Sequence, residues 1–133
     1  MSTLREALQR GLAMASRGEV RDAVSVLDEA LLEAVGTGDP VWISLIGRNL
    51  ALLCERDKQL PRAVNYIKDI LNKVPTDRRS LYELGVLLEQ LGDLDGSVLA
   101  FTQSLDLSLL ANDQDLLNLL ATKGFGNRAG TTD

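Results

Sequence analysis

The chain has 133 residues and a formal charge of −5 at pH 7, from 14 basic and 19 acidic side chains, with no histidine and a single cysteine, Cys54. The lack of histidine excludes an imidazole-based catalytic triad, a histidine-ligated zinc site and a histidine pH switch. One cysteine excludes an internal disulfide framework and a cysteine-rich metal site. The 27 leucines supply enough apolar material for a buried core.

Charge and hydropathy indicate which classes of partner the protein can bind and where in the cell it is located. Nucleic-acid backbones require clustered basic side chains, and the sequence has no such cluster, so we expect no nucleic-acid partner. The charged N-terminus lacks the apolar stretch of a signal peptide. No apolar run reaches the roughly 18 residues that a bilayer requires. We therefore expect no membrane insertion and a cytoplasmic location.

Apolar residues recur at helical spacing and predict seven helices. Thr3 and Glu6 form a capping box for the first helix. Pro61 suits the first turn of the fourth helix, where a missing N–H costs little. In chain order, the first three predicted helices cover about residues 4–16, 19–35 and 41–56. The fourth, with Pro61 in its first turn, ends before Pro75, and the fifth is capped by Asp77 and ends at about Leu91. The sixth covers about residues 94–110, and the seventh about 112–123. The residues that follow are polar or small, which predicts a flexible tail over 125–133.

The helices form pairs, and the pairs repeat along the chain. The aligned copies cover residues 18–31, 58–71 and 92–105. A small residue occupies the same place in each copy: Ala23, Ala63 and Ser97. Copies one and two are offset by 40 residues and copies two and three by 34, with the extra six residues near Gly36–Val41.

This pattern resembles the tetratricopeptide repeat family, whose unit is a helix–turn–helix of this period. The resemblance implies an all-α fold, an α-solenoid of three antiparallel helix pairs, with repeats at about 4–37, 44–77 and 78–111. The seventh helix, at about 112–123, resembles the helix that caps such arrays, so residues 1–124 are expected to form one domain. The alternative is that the apolar face of this helix is left unpaired and binds a partner.

Three residues depart from the family pattern or sit in unusual places. Lys58 replaces the turn glycine of the second copy, so that turn must be made differently or with strain. Cys54 occupies a core position and is expected to be a buried, inert thiol. Trp42 is assigned to the long linker, where it is expected to pack back onto the first repeat.

In that family the first helices of the pairs line a concave groove that binds an extended peptide or partner segment. Carried over by position, the resemblance implies a groove of mixed apolar and two-signed charged side chains. The candidate partner-binding residues are Leu8, Gln9, Leu12, Leu45, Arg48, Asn49, Leu52, Arg56, Arg79, Tyr82, Glu83 and Val86. A clamp for a chaperone's C-terminal carboxylate is disfavoured, because Glu83 stands where that clamp needs a cation.

Several of these residues have a second interpretation. Asn49 hydrogen-bonds either a bound peptide or a neighbouring group. Arg48, Arg56 and Arg79 either meet an acidic partner or, the favoured interpretation, form solvated pairs with nearby glutamates. Tyr82 either anchors a partner or packs against the sixth helix.

The sequence therefore predicts a non-catalytic adaptor, without cofactor or metal, that binds a peptide or helix segment of a protein partner. The alternatives are a self-assembling scaffold module that forms homo-oligomers, or a dedicated secretion or assembly chaperone. An enzyme is disfavoured, because no catalytic acid pair, metal-ligand cluster or phosphate-binding loop stands out.

Overall fold

The computed structural model describes residues 3–126, which form seven α-helices joined by short turns and contain no strand. The helices are α1 (Leu4–Ser16), α2 (Val20–Thr37), α3 (Pro40–Arg56), α4 (Leu60–Lys73), α5 (Arg78–Gln90), α6 (Leu94–Ala111) and α7 (Gln114–Thr122). The seven helices predicted from the sequence are confirmed. In the described part of the chain, no helix is both long enough and apolar enough to cross a bilayer. Most of the predicted tail, residues 127–133, lies outside the described residues.

Side-chain caps determine where most of the helices begin. The Thr3 hydroxyl accepts a hydrogen bond from the Glu6 N–H at 3.1 Å, and the Glu6 carboxylate accepts one from the Thr3 N–H at 2.8 Å. This pair is the predicted capping box. Carboxylates cap the first turns of α3, α5, α6 and α7, in that order from Asp39, Asp77, Asp93 and Asp113.

One turn geometry closes all three helix pairs. The second residue after the first helix of each pair, which follows the C-cap residue, has a positive φ: 83° at Gly18, 61° at Lys58 and 85° at Gly92. The next N–H donates to a carbonyl five residues earlier, at 2.8–2.9 Å, as Gln59 does to Cys54. This is the Schellman motif. Lys58 therefore makes the same turn as the two glycines and carries the steric strain that its side chain brings in this region.

Small residues allow the helices of a pair to approach closely. A Cβ atom added to Gly11 would lie 2.7 Å from the Leu27 side chain, and one added to Gly85 would lie 2.6 Å from the Phe101 ring. Gly11 aligns with Gly85, and Leu27 with Phe101, in the repeat. The packing therefore repeats together with the sequence.

The three aligned small residues have equivalent settings. Ala23 and Ala63 are fully buried, and Ser97 is 3% exposed. Each is three residues beyond the first residue of its helix, and each N–H donates to the carbonyl of the capping residue at 2.9–3.0 Å. The alignment on which the repeat assignment depends is thus confirmed.

The contacts divide the chain into two compact units, Met1–Pro75 and Thr76–Asp133, whereas the sequence was interpreted as one domain over residues 1–124. The division falls between the second and third helix pairs. In repeat proteins each unit contacts only its neighbours, so a repeat boundary is where contacts are fewest.

The first unit contains α1 to α4 around a core that includes Leu27, Ile46 and Leu50. Trp42 packs, partly buried, against this core, as predicted, but it lies in the first turn of α3 and not in a linker. The linker assignment was wrong, because α2 continues to Thr37 and has 18 residues against 14 in α4. The extra residues of the first repeat are therefore mainly helical.

The second unit contains α5, α6 and α7. Its core joins Tyr82 and Phe101 to Leu116 and Leu120 of α7, so α7 covers the last helix pair with its leucine stripe. Phe125, which the sequence assigned to the flexible tail, packs against the same core with its ring centroid 5.3 Å from that of Phe101. Its aromatic ring has apolar surface to bury, unlike the polar residues around it.

Candidate partner-binding surfaces

The predicted groove residues of the first unit lie on α1 and α3, which contact each other. Leu8 and Leu45 are half-buried, whereas Leu12 and Leu52 are 40% and 44% exposed. Steps of four residues along α1 and seven along α3 keep each leucine pair on one side of its helix. We call this surface the first-helix face and define it by Leu8, Gln9, Leu12, Leu45, Arg48, Asn49, Leu52 and Arg56.

Two polar residues of the first-helix face bond to their own helix. The Asn49 side-chain amide donates to the Leu45 carbonyl at 2.8 Å, and Arg48 Nε donates to the Ser44 carbonyl at 3.3 Å. Asn49 therefore bonds a neighbouring group, the second of its two interpretations. A side-chain amide has two N–H donors and one carbonyl acceptor. The bond to Leu45 uses one N–H, so the other N–H and the carbonyl of Asn49 are not needed for it.

The groove residues on α5 belong to the second unit. Arg79 and Glu83 form an ion pair at 3.4 Å, one helical turn apart, which confirms the favoured interpretation for Arg79. Such exposed pairs contribute little to stability. Val86 is half-buried at the edge of the core of this unit.

Tyr82 is a core residue in the structure. It is 8% exposed, and its ring centroid lies 5.6 Å from that of Phe101 on α6. Packing against the sixth helix, its second interpretation, is therefore the one that the structure supports.

A polar cleft of about 370 Å³ in the first unit was missed by the sequence analysis. It lies between the N-terminal part of α2 and the α3–α4 turn, and it contains Arg21, Asp28, Asp57 and Arg62. At one side, the Tyr66 hydroxyl donates to the Asp28 carboxylate. These two residues are 38 positions apart, so no local pattern indicates their pairing. An apolar hollow of about 310 Å³ also opens in this unit, beside Leu31, Leu32 and Ile70.

Cys54 is 2% exposed and unpaired by any disulfide. Burial raises the pKa of the Cys54 thiol, because the thiolate is poorly solvated there. The neutral thiol is the unreactive form. The prediction that Cys54 is buried is confirmed, and the raised pKa supports the prediction that its thiol is inert.

Comparison with known proteins gives matches among solved structures only. No family model matches the chain, and no curated protein matches it. The tetratricopeptide-repeat domain of FLU from Arabidopsis is 18% identical, with a TM-score of 0.65 over 77% of this chain and 92% of that one. SycD, a type III secretion translocator chaperone of Yersinia enterocolitica in an alternative dimer form, is 14% identical, with a TM-score of 0.66 over 93% and 96%.

A further similar structure is that of Rap, the conjugation gene regulator of plasmid pLS20, in complex with the Phr* peptide. It is 20% identical, with a TM-score of 0.72 over 89% of this chain but 34% of Rap. At such identities the likeness establishes the fold. The chain therefore has the tetratricopeptide-repeat fold, an all-α solenoid of three antiparallel helix pairs with a seventh, capping helix.

Proposed function

We propose that this protein is a non-catalytic adaptor that binds an extended peptide or a helix segment of a protein partner on the first-helix face. The observation that supports the proposal is the exposure of Leu12 and Leu52, at 40% and 44%, on two helices that contact each other. Single exposed leucines are common on protein surfaces. Two of them on neighbouring helices, at positions that the family resemblance assigns to its groove, favour a binding surface.

The polar residues of the first-helix face set the orientation of the bound segment in this proposal. Along α3, Arg48 and Asn49 lie between the half-buried Leu45 and the exposed Leu52, while Gln9 on α1 and Arg56 on α3 are exposed. Polar groups in an interface contribute more to specificity than to affinity. We expect the leucines to supply most of the affinity, because they are the apolar area that a partner removes from water.

On α5, Arg79, Glu83 and Val86 are the proposed partner-binding residues of the second unit. The Arg79–Glu83 ion pair presents both signs of charge there. Tyr82 contributes through its packing, because it holds α5 against α6. The complex of Rap with the Phr* peptide supports peptide binding as a use of this fold.

The proposal is tested by selecting binding peptides from a displayed library of short random sequences. In the Leu12→Glu and Leu52→Glu variants, we expect the affinity of the selected peptides to fall by about tenfold or more, because a charge replaces buried apolar contact. Leu32→Glu is the matched control, since Leu32 lies on α2 and is 74% exposed. Circular dichroism should give the same helicity for all three variants.

An equal loss in the control variant, or unchanged binding in Leu12→Glu and Leu52→Glu, would show that the first-helix face is not the binding site. Selected peptides that bind the unfolded chain equally well would also contradict the proposal.

A dedicated secretion or assembly chaperone is the second candidate. The likeness to SycD, which covers 93% of this chain and 96% of that one, favours it over the scaffold alternative. Co-expression with the products of neighbouring genes tests it: one of them should become soluble only with this protein. A self-assembling scaffold instead predicts oligomers in sedimentation velocity, and a monomer at every concentration would remove that alternative.

A further inference from the structure

Helix α6 is apolar on its outer side as well as on its inner side. The inner side buries Phe101 in the core of the second unit. Five outer residues of the same helix are large, apolar and 52–85% exposed: Leu94, Val98, Leu99, Leu109 and Leu110. A helix that is apolar around its circumference is usually covered on every side. Within residues 3–126, no element therefore covers the outer side of α6.

The exposed residues form a continuous ridge along the helix. Leu94, Val98, Thr102, Asp106 and Leu110 follow one another at four-residue steps, and all five are exposed. Each residue at this spacing lies one turn beyond the previous one, and the row winds around the helix by about 40° at each step. The Thr102 hydroxyl donates to the Val98 carbonyl at 2.8 Å, so its polar group is already satisfied within the helix. The ridge is about 24 Å long, which matches a partner helix of four to five turns.

The second unit has a large excess of negative charge. Residues 76–126 contain three basic and eight acidic side chains, a formal charge of −5, whereas residues 1–75 contain ten of each sign. All three basic side chains are in ion pairs, at 2.8, 3.4 and 2.9 Å. These pairs are Arg78–Asp113, Arg79–Glu83 and Lys123–Glu89. The charged residues of α6 itself are Asp95 and Asp106, and both are exposed.

We propose that this outer face of α6, defined by Leu94, Val98, Leu99, Asp106, Leu109 and Leu110, docks a positively charged amphipathic helix of a partner protein. Leucines on one side of the partner helix would cover the exposed leucines, as the apolar faces of two amphipathic helices do in coiled-coil zippers. Lysine or arginine beside them would meet Asp95 and Asp106. The surface lies on a different unit from the first-helix face, so the proposal does not depend on the proposed function.

Charge decides between the possible occupants of this face. A second copy of the chain would bring another unit of charge −5 against the first, which disfavours association. Anionic lipid surfaces attract basic segments and repel acidic ones, so Asp95 and Asp106 disfavour a membrane. A cationic amphipathic helix would cover the exposed apolar residues of α6 and would also pair with its acidic side chains.

Fluorescence anisotropy with a labelled synthetic peptide tests the proposal on the full chain. The peptide is an amphipathic helix of leucine and lysine, and the comparison peptide has glutamate in place of every lysine. We expect the lysine peptide alone to bind, with an affinity that falls as salt is added. Asp106→Lys should weaken binding roughly fivefold, and the double variant Leu99→Gln with Leu109→Gln about tenfold or more.

Matched controls come from α2 of the first unit. Glu29→Lys makes the same charge change as Asp106→Lys at another exposed helical position. Leu32→Gln replaces an exposed leucine by glutamine, as the α6 leucine variants do. Both controls should bind the lysine peptide as the unchanged protein does. Thermal unfolding should be the same in all variants, because every altered side chain is exposed.

Three results would overturn the proposal. The first is equal binding of the two peptides, or full binding by the α6 variants. The second is a dimer in sedimentation velocity that the double leucine variant abolishes, which would make a second copy the occupant. The third is flotation with phosphatidylserine vesicles that the same variant abolishes, which would make a lipid surface the occupant.

Discussion

The Tyr66 hydroxyl on α4 donates a hydrogen bond to the Asp28 carboxylate on α2, which links the second helices of the first two pairs. Arg62 lies 3.9 Å from the same carboxylate, and its guanidinium is 5.9 Å from the centre of the Tyr66 ring. Burial, and secondly the bond to Asp28, raises the pKa of Tyr66 from 10.0 to about 12. Both causes disfavour the phenolate, because it is poorly solvated and lies beside a carboxylate.

This raised pKa predicts a loss of stability in alkaline solution. A group whose pKa is higher in the folded than in the unfolded chain stabilises the fold fully below the unfolded value, and this contribution disappears as the pH rises through the folded value. We therefore expect the free energy of unfolding to fall between about pH 10 and pH 12. Urea denaturation across this range measures it.

Tyr66→Phe should remove this part of the alkaline decline, because it removes the titrating hydroxyl. At neutral pH it should cost about 1 kcal/mol through the lost hydrogen bond. Tyr82→Phe is the matched control and should retain the decline, since it leaves the Tyr66–Asp28 bond in place. The same alkaline decline in Tyr66→Phe as in the unchanged protein would contradict the assignment.

The strained turn at Lys58 predicts a stabilising substitution. Its φ of 61° lies in the left-handed region, which glycine adopts without steric cost. Lys58→Gly should therefore raise the free energy of unfolding by about 1 kcal/mol. Lys58→Ala is the control, because it removes the charge and keeps the Cβ atom. An equal gain from both substitutions in chemical denaturation would show that charge, and not backbone strain, is the cause.

The close approach at Gly85 predicts the opposite effect. A Cβ atom there would lie 2.6 Å from the Phe101 ring, so Gly85→Ala should lower the free energy of unfolding by about 1–3 kcal/mol through overpacking. Gly36→Ala is the control, because Gly36 lies in α2 with nothing within 4 Å of an added Cβ. That control should gain roughly 0.5–1 kcal/mol from helix propensity. Stabilisation by both substitutions in thermal denaturation would contradict the packing argument.

The helices and their repeat were predictable because their signals are local. Helical spacing, caps and turn glycines are each read within a few residues, and the equivalence of Ala23, Ala63 and Ser97 follows from aligning such windows. The same logic failed at residues 36–37, where a glycine and a threonine suggested a linker but instead extend α2 by two residues. A glycine lowers helix propensity without preventing a helix that packs well.

The candidate site was less predictable, because it depends on side-chain partners. Helical position alone placed Tyr82 and Leu52 on the same kind of face, yet Tyr82 packs on Phe101 and Leu52 remains exposed. The bond of Asn49 to its own helix depends on a rotamer, and the Tyr66–Asp28 pair joins residues far apart in sequence. Neither is encoded in the spacing of residue types.

Two buried serines one turn apart on α6 give a matched pair for measuring a single hydrogen bond. Both are fully buried, but the Ser104 hydroxyl donates to the Arg78 carbonyl at 2.8 Å, whereas the Ser108 hydroxyl has no hydrogen-bond partner among the described residues. Ser104→Ala should lower the free energy of unfolding by about 1 kcal/mol, because it removes the hydrogen bond between the buried hydroxyl and that carbonyl.

Ser108→Ala should leave the stability unchanged or raise it by up to about 1 kcal/mol, because it removes a buried hydroxyl that gains nothing in the folded state. Urea denaturation of both variants measures the difference, and the nearly identical change in volume cancels the packing contribution. Equal destabilisation by the two substitutions would mean that Ser108 also donates a hydrogen bond, for instance to a buried water. A larger loss at Ser108 than at Ser104 would reverse the assignment of the two hydroxyls.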